Sequence, residues 1–175
     1  MSSKNILVDT VFVADITYKY DVKFIVDNNT YNSQIVVKNN VASIPTNPIK
    51  TNYVFKGWSI NGSTVIDLST YKINSTTTFY AVFEPTSNGT FAYSDGSGSV
   101  TISNGTVTNI TGDSLKIVFS SGNKVNDNKY YYEQKFMNNV MGTWTATYDK
   151  TTDIWTIESQ SKSTGEIKYS YLYRV

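Results

Sequence analysis

Histidine and cysteine are both absent from the chain. Their absence removes Ser-His-Asp and Cys-His nucleophile systems, nearly all structural zinc sites, thiol redox chemistry and disulfides. Charge of one sign is scarce as well. Fifteen Lys and Arg stand against fourteen Asp and Glu, a net charge of +1, and no basic run forms a stripe that could neutralise a phosphate backbone. Nucleic acid is therefore not an expected partner. Membrane insertion is not expected either, because no run approaches the roughly 20 apolar residues that a span requires. The apolar stretch after Lys4 is broken at Asp9 and again at Asp15, so it fails as the core of a signal peptide. A trimmed fragment, or a protein exposed by a route other than secretion, is the expectation.

What the chain has in quantity is aromatic surface: fourteen Tyr, eight Phe and three Trp, enough for two small cores in 175 residues. The expected organisation is an N-terminal strand or docking arm over residues 1–18, a first module over 19–85 and a second over 86–175. The boundary falls in Glu84-Pro-Thr-Ser-Asn-Gly89, a run of turn formers.

In the first module Val22, Phe24 and Val26 alternate with Asp21, Lys23 and Ile25, as a half-buried strand does. Asn28-Asn29 reads as its turn and Ser33 to Lys38 as the second strand. Pro45 and Pro48 bracket an extended connection, because each disfavours helix in the residue before it. Tyr53 to Ile60 is a third strand, in which Phe55 and Trp58 share a pleat face only if Gly57 makes a bulge. Asn61-Gly62 marks a loop, Asp67 caps a single turn through Tyr71, and Thr77 to Phe83 closes the sheet.

The sequence Val22-Lys-Phe-Ile-Val26, Ile44-Pro45, Pro48-Ile-Lys50, Tyr53-Val-Phe-Lys-Gly-Trp58, Asp67 and Thr78-Phe-Tyr-Ala-Val-Phe83 resembles the B-repeat of bacterial surface proteins, the Listeria-Bacteroides repeat. The resemblance implies a β-grasp-like module that works outside the cell as a spacer or adhesive unit and has no catalytic role. It also implies structural duties for Phe55, Gly57, Trp58 and Phe83, with Trp58 as a core plug.

The second module reads as an antiparallel meander of six strands, a β-sandwich or small barrel. Asn104-Gly105 is the strongest hairpin signal and pairs Ile102 with Val107. Ser114 to Phe119 reads as a strand with Leu115, Ile117 and Phe119 on one face, and Gly122 to Lys129 as a polar loop. Trp144, Ala146 and Tyr148 share a face, as do Trp155 and Ile157, and as do Ile167, Tyr169, Tyr171, Tyr173 and Val175. No second copy of the Gly-Trp motif occurs here.

The candidate binding residues are the surplus aromatics Tyr130, Tyr131, Tyr132, Trp144, Trp155, Tyr169 and Tyr171, since an exposed aromatic face stacks sugars or buries a protein partner. The plainer reading is a core on one face and wetted hydroxyls on the other. Asp149, Asp153, Glu158 and Glu166 are the carboxylates available to a glycosidase pair, but Asp149 and Asp153 flank a turn and read as turn formers. Asp95 and Asp127 lie in loops without EF-hand spacing, so no metal and no cofactor is expected. The expectation is a non-enzymatic, all-β, exposed structural or attachment protein, first as a phage virion decoration or fibre-associated component, alternatively as a bacterial surface adhesin fragment that binds carbohydrate. Expected partners are other virion or cell-surface proteins, with glycans and further copies of the chain as alternatives.

Overall fold

The computed structural model describes residues 15–175. The expected N-terminal strand or arm lies outside the described residues except for 15–18, which are in neither strand nor helix. The chain divides into two compact units. One runs to Thr46 and resumes over Gly57–Val82, and the other comprises Asn47–Lys56 and Phe83–Val175. The segment Asn47–Lys56 therefore goes with the second unit, whereas a boundary at 85/86 keeps it in the first.

In the first unit β1 (Lys19–Val26) and β2 (Asn29–Val37) form an antiparallel hairpin. Its loop is Asp27-Asn28, at φ 46° and 65°, one residue earlier than the Asn28-Asn29 turn expected. Pairing of Val26 with Asn29 sets that register, and short polar side chains tolerate the left-handed conformation such a turn needs. With β3 (Tyr53–Ser59) and β4 (Thr77–Pro85) the sheet order is β2-β1-β4-β3, and β1 lies parallel to β4. Alternation on β1 buries Val22 and Phe24 completely. Phe24 meets Trp58 edge-on at 4.8 Å and Phe79 at 5.1 Å. Burial of each ring is worth about 1.5–3 kcal/mol, so this triad is a principal source of the module's stability. Between β2 and β3 the proline-bearing segment stays extended, tied down by the Gln34 amide, which bonds both the N–H and the carbonyl of Ser43 at 2.8 Å.

The second unit contains β5 (Gly89–Ala92), β6 (Ser99–Ser103), β7 (Thr106–Thr111), α1 (Asp113–Val118), β8 (Lys124–Asn126), β9 (Lys129–Phe136), β10 (Asn139–Asp149), β11 (Ile154–Ser161) and β12 (Ile167–Arg174). The eight strands form one antiparallel sheet, order β7-β6-β5-β12-β11-β10-β9-β8, curled into a half-barrel. With 54% strand and 5% helix, the all-β class expected from the alternation holds. The Asn104-Gly105 hairpin forms as expected, with Ile102 opposite Val107.

Three expectations fail here. Asp113–Val118 is helical, with Phe119 as its C-cap, where a strand over 114–119 is expected. Leu115, Val118 and Phe119 are buried and Ile117 is 44% exposed, which is an i, i+3, i+4 face and not an alternating one. Gly112 starts the turn into it at φ 84°, where a Cβ would fall 3.1 Å from both the Gly98 Cα and the Ser97 carbonyl oxygen. Lys124–Asn126, read as loop, is a short edge strand whose three residues are all exposed and so show no alternation. Gly89–Ala92, read partly as linker, is the strand that buries Phe91.

Candidate functional site

The curl gives the large sheet a concave and a convex face, and β-pairing divides the seven candidate aromatics between them. Tyr130 and Trp155 are core residues, 1% and 0% exposed, which corrects their reading as binding residues. Trp155 meets Phe119 at 5.1 Å and Tyr148 at 5.5 Å, and Tyr130 meets Phe119 at 4.9 Å. Burial pushes the Tyr130 phenol pKa up. The helix that covers these rings was the element misread as a strand.

Tyr131, Tyr169 and Tyr171 are on the convex face. Tyr169 stands opposite Glu158, Glu158 opposite Thr145, and Thr145 opposite Tyr131, so one row crosses four strands. A second row runs from Tyr171 through Thr156 to Thr147. The Tyr131 hydroxyl donates to Glu133 Oε1 at 3.0 Å, which raises its pKa, and the negative charge of Glu158 raises that of Tyr169. Both phenols stand on the broad convex surface.

Tyr132 and Trp144 face each other across β9 and β10 on the concave side, each half-buried. Trp144 packs against the buried core and also lines a groove of about 360 Å³ with Gln134, Gly142, Ser159, Glu166 and Lys168. Lys168 and Glu166 pair at 3.4 Å on the rim. Gly142 is buried in the floor, and a Cβ there would lie 2.9 Å from the Gln160 carbonyl oxygen.

The residue that sequence reasoning missed is Arg174. Its guanidinium donates from Nε and Nη2 to the two carboxylate oxygens of Asp153 (2.7 and 2.8 Å), from Nη1 to the Asn88 carbonyl (2.6 Å) and from Nη2 to the Thr86 carbonyl (2.7 Å). It also lies 4.6 Å above the Phe91 ring. Tyr148 donates to Asp153 Oδ1 at 2.7 Å. Burial, followed by that hydrogen bond, raises the Tyr148 phenol pKa well above its ordinary value. Asp153 is therefore more than a turn former: it is half of a partly buried ion pair. The signal was present, since Arg174 is the one arginine beside fourteen lysines, and a planar fork is what bidentate carboxylate recognition needs.

The other carboxylates have separate uses. Asp149 accepts from the Thr151 N–H at 2.8 Å and the Thr152 hydroxyl at 3.1 Å, and the first of these chiefly lowers its pKa. Asp95 accepts from the Ser97 N–H, and Asn126 from the Asn128 N–H, so both loops weighed as cation sites are closed by Asx turns. Among the described residues no group of three or more acidic side chains is placed to hold a metal.

In the first unit Gly57 sits at φ 142°, a conformation that L side chains rarely adopt, and an added Cβ would fall 2.5 Å from Val65 Cγ1. The strand turns its pattern over at that point, so that Trp58 and Ser59 are both buried, and the Trp58 carbonyl accepts from the Ile66 N–H at 2.9 Å. Phe55 and Phe83, both in the second unit, pack at 5.6 Å. Residues 20–82 match the family model of the Listeria-Bacteroides repeat domain. This repeat domain is typical of extracellular and surface proteins. Its match takes in β1, β2 and β3 nearly whole and most of β4, and it leaves the eight-stranded sheet outside. No curated protein matches the chain.

Proposed function

We propose that the chain is a non-enzymatic, surface-exposed attachment protein, in which the repeat domain accompanies a second β unit that makes the contact. The observation that carries this reading is the repeat-domain match over residues 20–82. The second unit supports it by exposing Tyr131, Tyr169 and Tyr171 on its convex face, a surface suited to broad contact. The non-enzymatic part rests on the absence of His and Cys and on the uses already made of the carboxylates. Asp149 closes a turn, Asp153 holds Arg174, and Glu166 pairs with Lys168. Repetition of such a unit on a surface makes weak single contacts effective through avidity, so no deep cleft is needed.

Two placements satisfy this reading: a bacterial cell surface, which the repeat domain favours, and a phage virion, as a decoration or fibre-associated component, which suits a cysteine-free β chain. Mass spectrometry of cell-wall, supernatant, cytosolic and purified phage fractions tests it. Recovery in the wall or supernatant is expected, recovery in virions selects the narrower placement, and confinement to the cytosol overturns the proposal. Polysaccharide hydrolysis that disappears in Glu166→Gln would overturn the non-enzymatic part.

A further inference from the structure

We infer that the groove over Trp144 is a binding site for a neutral pyranose ring, as found in a hexose oligosaccharide. This inference rests on the attachment reading and names its ligand class. One transverse row of the concave face runs Tyr132, Trp144, Ser159, Lys168, and the next runs Gln134, Gly142, Ser161. Trp144 has core on one side and the groove on the other, so its ring is held in place yet reachable. That is the condition for stacking against the C–H face of a sugar, where an immobilised aromatic gives up little side-chain entropy on binding. Gly142 puts no side chain into the floor beside it. Its backbone lies so close to Gln160 that any Cβ would meet the carbonyl oxygen, and the depth next to the indole is therefore built into the strand pairing.

Around the ring are polar side chains without a hydrogen-bond partner among the described residues. Gln134, Ser159 and Trp144 line the groove, and their side chains make no hydrogen bond to any described residue. Between them they carry three donor groups, on amide, hydroxyl and indole, and two acceptors, on amide and hydroxyl, and a ring of vicinal hydroxyls, each donor and acceptor at once, matches that mixture. Charge narrows the class. Among the described residues the only ionic groups lining the groove are Lys168 and Glu166, one of each sign, which pair at 3.4 Å. A carboxylated or sulfated sugar would meet Glu166 without a spare cation, while a neutral one meets no net field. The volume, about 360 Å³, is near the lower end of small-molecule sites, which run from about 300 to 1,000 Å³. It fits one or two rings of a longer chain running out over the open rim.

The test is a glycan array probed with the full chain, followed by titration of the best neutral hexose oligosaccharide with tryptophan fluorescence and calorimetry. Binding is expected, with an emission change that is lost in Trp144→Phe, and with affinity falling about tenfold or more in Trp144→Ala, as truncation of a central aromatic anchor does. Because Trp144 also touches the core, Gln134→Ala and Ser159→Val, which replaces the hydroxyl by methyl groups, provide variants away from the packing. Each should weaken binding severalfold with an unchanged melting curve, while Lys129→Ala on the convex face leaves binding intact. Absence of binding to every neutral glycan, unchanged affinity in both groove variants, or occupation of the groove by a peptide alone would overturn the inference. If fractionation still places the protein on a surface, the attachment reading survives and only the sugar site falls.

Discussion

At one end of the concave face, Leu115, Val118 and Phe119 close over Tyr130 and Trp155 and exclude solvent from both rings. At the other end Trp144, two residues along β10 from the buried Ala146, borders an open groove whose lining includes no residue of α1. Antiparallel pairing runs through both ends, with an irregularity between Val140 and Gly142 at the open one, and both carry tryptophan. The difference is a six-residue helix, Asp113–Val118. Where it lies, aromatics become core; where it does not, the same kind of residue becomes a surface that can bind. The comparison teaches that a curled sheet supplies a concave face and a separate covering element decides its use.

Substitutions can break that contrast, and the largest effect belongs to the covered end. Trp155→Ala removes a ring that touches Phe91, Phe119, Tyr130 and Tyr148, and urea unfolding should show a loss of about 3–5 kcal/mol. Arg174→Met should follow at about 2–3 kcal/mol, because it leaves the Asp153 carboxylate with only the Tyr148 hydroxyl as a side-chain donor and takes the guanidinium donors from two backbone carbonyls. The same denaturation curve reads it. Trp144→Ala, at the open end, should lower stability by only about 1–2 kcal/mol, since the ring is half-buried. A loss as large as that of Trp155→Ala would abolish the distinction between the two ends.

A smaller effect is expected with pH. The Tyr148 phenol is held above its ordinary value of 10.0 by burial and by the hydrogen bond to Asp153. Its folded pKa exceeds its unfolded one, so its contribution is whole below about pH 10 and is lost as pH rises from there through the folded value. Melting temperature should therefore decline on the alkaline side, and Tyr148→Phe should flatten that decline. The smallest effect is on the convex face. Tyr171→Ala removes a ring that is 45% exposed, and stability should stay within about 0.5 kcal/mol of the parent. A larger loss by thermal melting would show that the convex tyrosines brace the sheet.

Much of this was legible along the chain. Period-two alternation placed Trp144, Ala146 and Tyr148 on one face and Tyr169, Tyr171 and Tyr173 on another, as the burial of Ala146 and the exposure of all three β12 tyrosines bear out. Asn104-Gly105 predicted its register because two consecutive positive-φ residues leave few other turns. The misreading at 114–119 has a local cause. Leu115, Ile117 and Phe119 fit an alternating pattern and Leu115, Val118 and Phe119 a helical one, and six residues are too few for periodicity to choose. Short β8 carries no apolar residue on a buried face and so left no signal.

By itself the sequence determined that this protein is β-built, free of histidine and thiol chemistry, and carries a repeat-domain signature around Gly57 and Trp58. Only the tertiary structure decided which aromatics are core and which are surface, and that Arg174 would clasp Asp153 twenty-one residues away. The reason is physical. Alternation is a property of neighbouring residues and tells which side chains share a face, but covering a face depends on an element that arrives from elsewhere in the chain, as Phe119 does over Trp155.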